Sequence, residues 1–306
     1  MMNINVLNKI IKKSRRWYKK TNYSFFKDIA TRYEKKKKDK IFTVIDDLNI
    51  QPETNIESQS SSSESRIIWI CWFQGLDNAP ELVKRCIESV ELHSPDAKVV
   101  ILTDDNIPLY LSLPDYIKEK YERGLISKAQ YSDIVRCSLL YQYGGIWMDA
   151  TVFITKPVPG SFYENTFSSL RFEANEDTLS QGYWTAYFLS SQKSNQIIKF
   201  VRDVLYRYWQ HHDTLIEYFL IDYSFLYARE RFPQFRRVMD EQPVTGNSRF
   251  LLRQYMNLSA DSASNKVLSN DHIGIYKLSH KERYITTHEG QPTIYSNILN
   301  GSFKLN

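Results

Sequence analysis

Cysteine is scarce in this chain. Cys71, Cys86 and Cys137 are three thiols in 306 residues. Their spacings match no zinc signature, and an odd, sparse set argues against a disulfide scaffold and for reduced, buried thiols. Long apolar runs are missing as well. No stretch approaches the roughly 18 residues that a spanning helix needs. The basic start is not followed by the uninterrupted apolar segment of a secretion signal, and a cytoplasmic location is the expectation. No internal repeat is found. What the chain does hold is a hydrophobic fraction of 42% with 21 Tyr and 6 Trp, enough for one sizeable core with appendages. Most of those rings belong in the core, although clefts that handle sugars also use aromatic platforms.

The net charge of +5 conceals an asymmetry: residues 1–40 carry 14 Lys and Arg against 3 Asp and Glu, which leaves the remainder at −6. Residues 1–50 therefore read as a basic helical arm. Ile4, Leu7, Ile11 and Tyr18 fall near one helical face, with Lys12, Lys13, Arg15, Arg16, Lys19 and Lys20 around it, and Trp17, Phe25 and Phe26 add interfacial rings. Two readings stay open: an amphipathic helix on an anionic membrane surface, peripheral on the inner face of the cell membrane, or an arm that packs on the body or a partner. Lys35 to Lys38 have no reader fold behind them, so no nucleic acid is expected. Residues 51–65 are a polar, Ser-rich linker, and residues 66–306 form the main domain. Within it Arg66 to Phe73 reads as a first strand, Pro80 opens a helix that runs to His93, and Lys98 to Leu102 is a second strand. Pro114 to Arg123 is a short helix closed by Gly124, and 194–230 holds one or two helices. Strands alternating with helices imply an α/β fold with a mostly parallel sheet.

The densest signal runs from Ser127 to Thr151. Ser127-Lys128-Ala129-Gln130 has the Ser-x-x-Gln spacing of a capping box, which starts a helix. Ile134, Val135, Leu139 and Leu140 give that helix a buried stripe. Asp133 and Arg136 are three apart and share a face. Gly144 and Gly145 suit a left-handed helix end. Ile146-Trp147-Met148 is a short buried strand, and Asp149 leaves it at the carboxyl end, where open α/β sheets bind ligands. Taken singly, each has a bland reading: a surface ion pair worth a few tenths of a kcal/mol, or an Asp that caps a turn.

Ser132-Asp133-Ile134-Val135-Arg136 followed by Tyr143-Gly144-Gly145-Ile146-Trp147-Met148-Asp149 resembles the sugar-nucleotide site of glycosyltransferases with the GT-A fold. More closely, it resembles the capsular polysaccharide synthesis proteins related to the DXD-containing sugar transferases. That family shows Ser-Asp-x-x-Arg on a helix, then Tyr-Gly-Gly-Ile, Tyr or Trp, any residue and Asp. Ile67 to Gly75 matches the family's start and Leu278-Ser279-His280-Lys281 a late motif, so the resemblance spans roughly residues 66–285. One departure stands out: Asp149-Ala150-Thr151 carries Thr where the wider family has a second Asp. The capsular branch commonly reads Asp-Ala-Thr.

The resemblance implies a GT-A-like, Rossmann-type sheet flanked by helices. It implies metal-dependent transfer from a nucleotide-sugar donor, a UDP-sugar by expectation, to a saccharide or lipid-linked saccharide acceptor in bacterial capsule or surface polysaccharide synthesis, with retention of anomeric configuration. It places Mn2+ or Mg2+ on Asp149, with Thr151 and His280 as further ligands. Asp133 and Arg136 would bind donor sugar hydroxyls and ribose or phosphate oxygens, Trp72 beside Gln74 would stack on the base, and Gly145, His280 and Lys281 would complete the donor site. Asp104, after the second strand, is open between a base or ribose contact and a turn former. Asp222, an acid inside the apolar Tyr218 to Tyr223 stretch, is a candidate for the acceptor or the reacting face of the donor; a helix-packing hydrogen bond is the equal alternative. A non-catalytic nucleotide-sugar-binding or scaffold protein of the same fold is the rival reading.

Overall fold

The computed structural model describes residues 3–52, 66–175, 178–259 and 262–304, and most of the Ser-rich linker expected over 51–65 lies outside them. Two helices open the chain, α1 (Ile4–Thr21) and α2 (Ser24–Asp47), and α3 (Glu81–His93) follows the first strand. The strands that matter are β1 (Ile67–Cys71), β2 (Lys98–Leu102), β3 (Gly145–Asp149), β4 (Val152–Ile154), β5 (Phe167–Ser169), β6 (Phe188–Ser191) and β7 (Ile275–Lys277). The main sheet runs β2-β1-β3-β6-β5. β1 is parallel to both β2 and β3, with Cys71 opposite Leu102 and Asp149, whereas β6 is antiparallel to β3 and β5 to β6. The expected parallel sheet is thus one half of a mixed one.

Side chains alternate across this sheet as strand geometry requires. Ile68, Ile70, Ile146 and Met148 pack with Val83, Ile87 and Val90 of α3 on one face. Trp69 and Trp147 face the other way, into a larger core with Leu139, Leu140 and the helices Gln196–His211 and Leu220–Arg231. The helix Lys128–Tyr143 is clasped between that core and the sheet. Its N-cap is Ser127, whose side chain accepts from the Gln130 amide, and it stops at Gly144 with φ +71°. β4 and β7 form a separate antiparallel pair in which Val152 lies opposite Lys277.

The N-terminal arm is a helical hairpin docked on this body. Ile4 and Leu7 of α1, with Ile41, Phe42 and Ile45 of α2, belong to the larger core. Phe42 meets Tyr227 edge-on at 5.0 Å between ring centres, and Lys37 pairs with Glu217 at 2.7 Å with both side chains largely buried. The apolar stripe that could have faced a membrane therefore faces the protein, because a docked face gains packing partners as well as leaving water. What stays exposed is the hairpin's tip, Trp17, Tyr23 and Phe25, beside the basic side chains of Lys12, Lys13, Arg16 and Lys20.

Gly145 has a structural duty. It sits at the entry to β3 with φ +93°, and a Cβ there would stand 2.6 Å from the Ile67 carbonyl oxygen. Replacement by Ala is expected to cost at least about 1–2 kcal/mol through backbone strain alone. A chemical-denaturation midpoint lowered to that degree checks it, and unchanged stability would show that β3 enters the sheet some other way.

Candidate functional site

Asp149 ends β3 at the carboxyl edge of the parallel half of the sheet, and its carboxylate collects three donors. Trp147 Nε1 lies 3.0 Å and Arg136 Nη2 3.3 Å from Oδ1. Lys277 Nζ lies 2.8 Å from Oδ2. The backbone amide of Asp149 in turn donates to the Tyr187 carbonyl at 2.9 Å. Lys277 also donates to Thr151 Oγ1 at 2.6 Å. Strand pairing makes this possible: β7 runs beside β4, the Leu278 amide donates to the Thr151 carbonyl at 2.9 Å and the Lys277 amide to the Arg249 carbonyl at 2.7 Å. Burial pushes the Asp149 carboxyl up, but Lys277 and Arg136 outweigh it and hold the acid down at about 2.

Arg136 is buried behind Asp149. Its guanidinium donates to the Ala186 carbonyl at 2.6 Å, pairs with Asp133 at 3.4 Å and lies 4.9 Å over the Trp147 ring. Its Nε has no hydrogen-bond partner. Burial raises Asp133 to about 7 against an ordinary 3.8, with Arg136 opposing and Asp222 and Asp149 adding like charge. Asp222 is raised too, by burial, against the pull of Trp184 and Arg136; Trp184 Nε1 donates to its Oδ1 at 2.8 Å. Three acids from two helices and one strand thus surround one guanidinium. Asp149 is a permanent anion, while Asp133 and Asp222 hold protons more readily than ordinary carboxylates.

A sequence model of the capsular polysaccharide synthesis protein family matches residues 16–298. The chain belongs to that family. The match takes in α2 and the end of α1 as well as the sheet domain. An O-glycosyltransferase, braB, of Annulohypoxylon truncatum is 24% identical over 173 residues, covering 50% of this chain and 40% of that one. Glycosyltransferase afumC of Aspergillus fumigatus is 25% identical over 122 residues, covering 35% and 30%. The chain spans less than half the length of these curated relatives. Among solved structures, the PaToxG glycosyltransferase covers 87% of this chain and 93% of its own at 15% identity, with a TM-score of 0.39.

In this family member the structure brings Asp133, Arg136, Asp149, Thr151 and Asp222 together. His280 lies nearby, its ring edge-on to Trp72 with 5.4 Å between centres. Burial, then Lys281 and Lys277, lower the pKa of that imidazole. Lys281 is exposed, as is Gln74. Asp104, at the end of β2, accepts from Tyr121 Oη at 2.8 Å and stands 3.7 Å from Lys128. Beside it Tyr121 and Tyr131 stack at 3.9 Å. Gly145 is not with the others: it stands at the opposite end of β3, where its lack of a side chain admits Ile67. Arg136 is enclosed, its guanidinium held by Asp133, Asp149 and the Ala186 carbonyl over the Trp147 ring.

Lys277, Trp147, Trp184 and Tyr187 were not foreseen. Lys277 left one trace, a cation interrupting the apolar run Ile275-Tyr276-Lys277-Leu278. The indoles carry no such mark, because a Trp that packs and a Trp that donates read alike in sequence.

The donor set does not fit the divalent cation expected on Asp149, Thr151 and His280. Mg2+ keeps several waters and needs only one or two protein carboxylates beside substrate phosphates, so the misfit lies not in the number of ligands but in what already holds them. Here one carboxylate and one hydroxyl converge, both already engaged by Lys277. Among the described residues no three His, Cys, Asp or Glu side chains gather as a metal site.

Asp133 sets a pH signature. Its folded-state pKa is raised, so the native protein holds a proton that the unfolded chain has lost between the ordinary value and about 7. Stability from this group is full below that window and is lost as pH rises through it. Thermal melts of Asp133→Asn and the parent at about pH 5 and about pH 8 are expected to show the parent losing more stability on going to the higher pH. Parallel pH dependence in the two proteins would place the raised pKa elsewhere.

Proposed function

We propose that this chain is a glycosyltransferase that moves a sugar from a nucleotide-sugar, most simply a UDP-sugar, to a saccharide or lipid-linked saccharide acceptor during synthesis of a bacterial capsule or surface polysaccharide. The observation that carries the reading is the convergence of Asp133, Arg136, Asp149 and Asp222 at the carboxyl edge of β3, in a chain of this family. The half-buried Asp149 and Asp222 are within reach of a donor sugar lying across the strand ends. Trp72 and Tyr121, the outer ring of its stack on buried Tyr131, offer apolar faces for the base beside β1 and β2.

Transfer with retention needs no enzymic nucleophile if the acceptor attacks on the face the diphosphate leaves. The acceptor hydroxyl oxygen forms the new bond to the anomeric carbon while the bond from that carbon to the β-phosphate oxygen breaks. The electron pair departs with the nucleoside diphosphate, and the acceptor proton passes to a phosphate oxygen. Asp149, held as an anion, orients the cations around it, and Asp133 and Asp222 hydrogen-bond sugar hydroxyls as acceptors or, when protonated, as donors. Electrostatic stabilisation of the departing diphosphate is the large contribution the protein must supply.

The hairpin supports a place at a membrane. Trp17, Tyr23 and Phe25 project from its tip with Lys20 and Lys27 close by in sequence, the pairing of rings and cations that favours an anionic interface. A groove between the hairpin and the body, lined by Lys12, Arg15, Arg16 and Lys19 on one side and Phe172 and Arg249 on the other, suits an acceptor carrying negative charge. The proposed location is the cytoplasmic face of the membrane, peripherally bound.

Incubation of the purified protein with a panel of UDP- and GDP-sugars is expected to release nucleotide from one donor, and Asp149→Asn is expected to lower that rate by on the order of 100-fold or more. Release that is unchanged in the variant would remove Asp149 from the mechanism. Sedimentation with vesicles tests the second element: the parent should follow phosphatidylglycerol vesicles and not phosphatidylcholine ones, and Trp17→Ser with Phe25→Ser should weaken this several-fold. Equal sedimentation of parent and double variant would exclude the tip as the contact.

A further inference from the structure

Lys277 occupies the position where a metal ion would be expected in such a site. Its ammonium bridges Asp149 and Thr151, the two residues left of an Asp-x-Asp arrangement, at 2.8 and 2.6 Å. It reaches them from β7, whose register against β4 is fixed by the Val152–Lys277 and Ile154–Ile275 pairs. The Tyr187 ring lies 5.2 Å from the Nζ atom. The lysine side chain is 20% exposed and that of Asp149 31%, so the pair is open on one side. An ammonium has three N–H donors. Two are directed at Asp149 and Thr151, and the third remains for a ligand on the open side.

We infer that Lys277 is the resident cation of the donor site: it receives the diphosphate of the nucleotide-sugar in place of a divalent metal ion. This rests on the glycosyltransferase reading above and deepens it. A diphosphate needs positive charge most as the anomeric bond breaks and the electron pair moves onto the β-phosphate oxygen. Lys277 meets it with a point charge and an N–H donor, while the Thr151 hydroxyl, which accepts from Lys277, keeps its own hydrogen to donate. Asp149 holds the ammonium in register rather than ligating a metal, and Arg136 behind it keeps Asp149 ionised. Thr at 151 then has a reason: a second carboxylate beside Asp149 would draw the ammonium inward and repel the phosphate, whereas a hydroxyl anchors it without added negative charge. No co-reactant beyond donor and acceptor is needed, since the lysine ends the cycle in the charge state in which it began.

Calorimetric titration of the full chain with UDP, and with GDP as a second probe, tests this in two buffers, one with EDTA and one with Mn2+. The expected result is binding of equal affinity in both. Lys277→Met, which keeps the length of the side chain, should weaken binding on the order of 10- to 100-fold, and Lys277→Arg should restore a part of it. Binding by the parent protein only when Mn2+ is present overturns the inference while leaving the glycosyltransferase reading intact, and it needs no variant. Equal affinity of the parent and a folded Lys277→Met, checked by its melting curve, also overturns it. Failure of both nucleotides to bind in both buffers overturns the donor reading itself and this inference with it.

Discussion

The buried guanidinium of Arg136 is the interaction on which the rest of the site depends. It ties the helix Lys128–Tyr143 to the end of β3 and to the segment before β6 through Asp133, Asp149 and the Ala186 carbonyl. A charge this deep is tolerable only when it is paired and hydrogen-bonded. Removal of the arginine would leave acids facing one another without a counter-charge. Because Arg136 is fixed from three directions, the carboxylate of Asp149 is fixed too, and that carboxylate in turn sets where Lys277 stands. A short chain of charge pairs thus converts the packing of a helix on a sheet into the placement of a cation at the sheet's edge.

That arrangement suits chemistry in which the leaving group is a dianion or trianion. A preorganised set of positive and negative groups need not reorganise as charge develops, and reorganisation is what water must do in the uncatalysed reaction. The division among the three acids follows the same logic. Asp149, flanked by two cations, stays ionised at any physiological pH. Asp133 and Asp222, desolvated and near one another's field, are poised to hold or lose a proton.

The α1–α2 hairpin shows how one amphipathic pattern can serve two surfaces. Its aliphatic residues are drawn into the protein's core, where Ile41 and Ile45 are almost fully buried. Its tip aromatics and, apart from Lys37, most of its lysines remain outside. The basic character of the chain is therefore displayed on a rigid part of the fold rather than on a loose extension, and it borders the groove that leads toward Arg249.

Much of the core was legible in the sequence because local rules governed it. The Ser127 cap, the glycine stop at Gly144, the apolar Ile146-Trp147-Met148 strand and the helix after Pro80 each fall where short-range physics puts them, although the Gln130 side chain closes no box and donates to the Tyr218 carbonyl instead. The pairing of Asp133 with Arg136 and the exit of Asp149 at a strand end follow from helix periodicity and sheet polarity. The antiparallel half of the sheet was not legible, since β5 and β6 are too short to declare a direction. Nor was the solvent-or-core choice for the arm, because a helical stripe carries no label for the surface it meets. Sequence by itself determined the helices, the parallel strands and the acidic residues at their ends, all of which depend on neighbours within a few positions. Only the tertiary structure decided that Lys277, brought by the β4–β7 pairing across more than a hundred residues, would sit on Asp149 and Thr151. Charge at that distance along the chain acts only through space, and space is assigned by the fold.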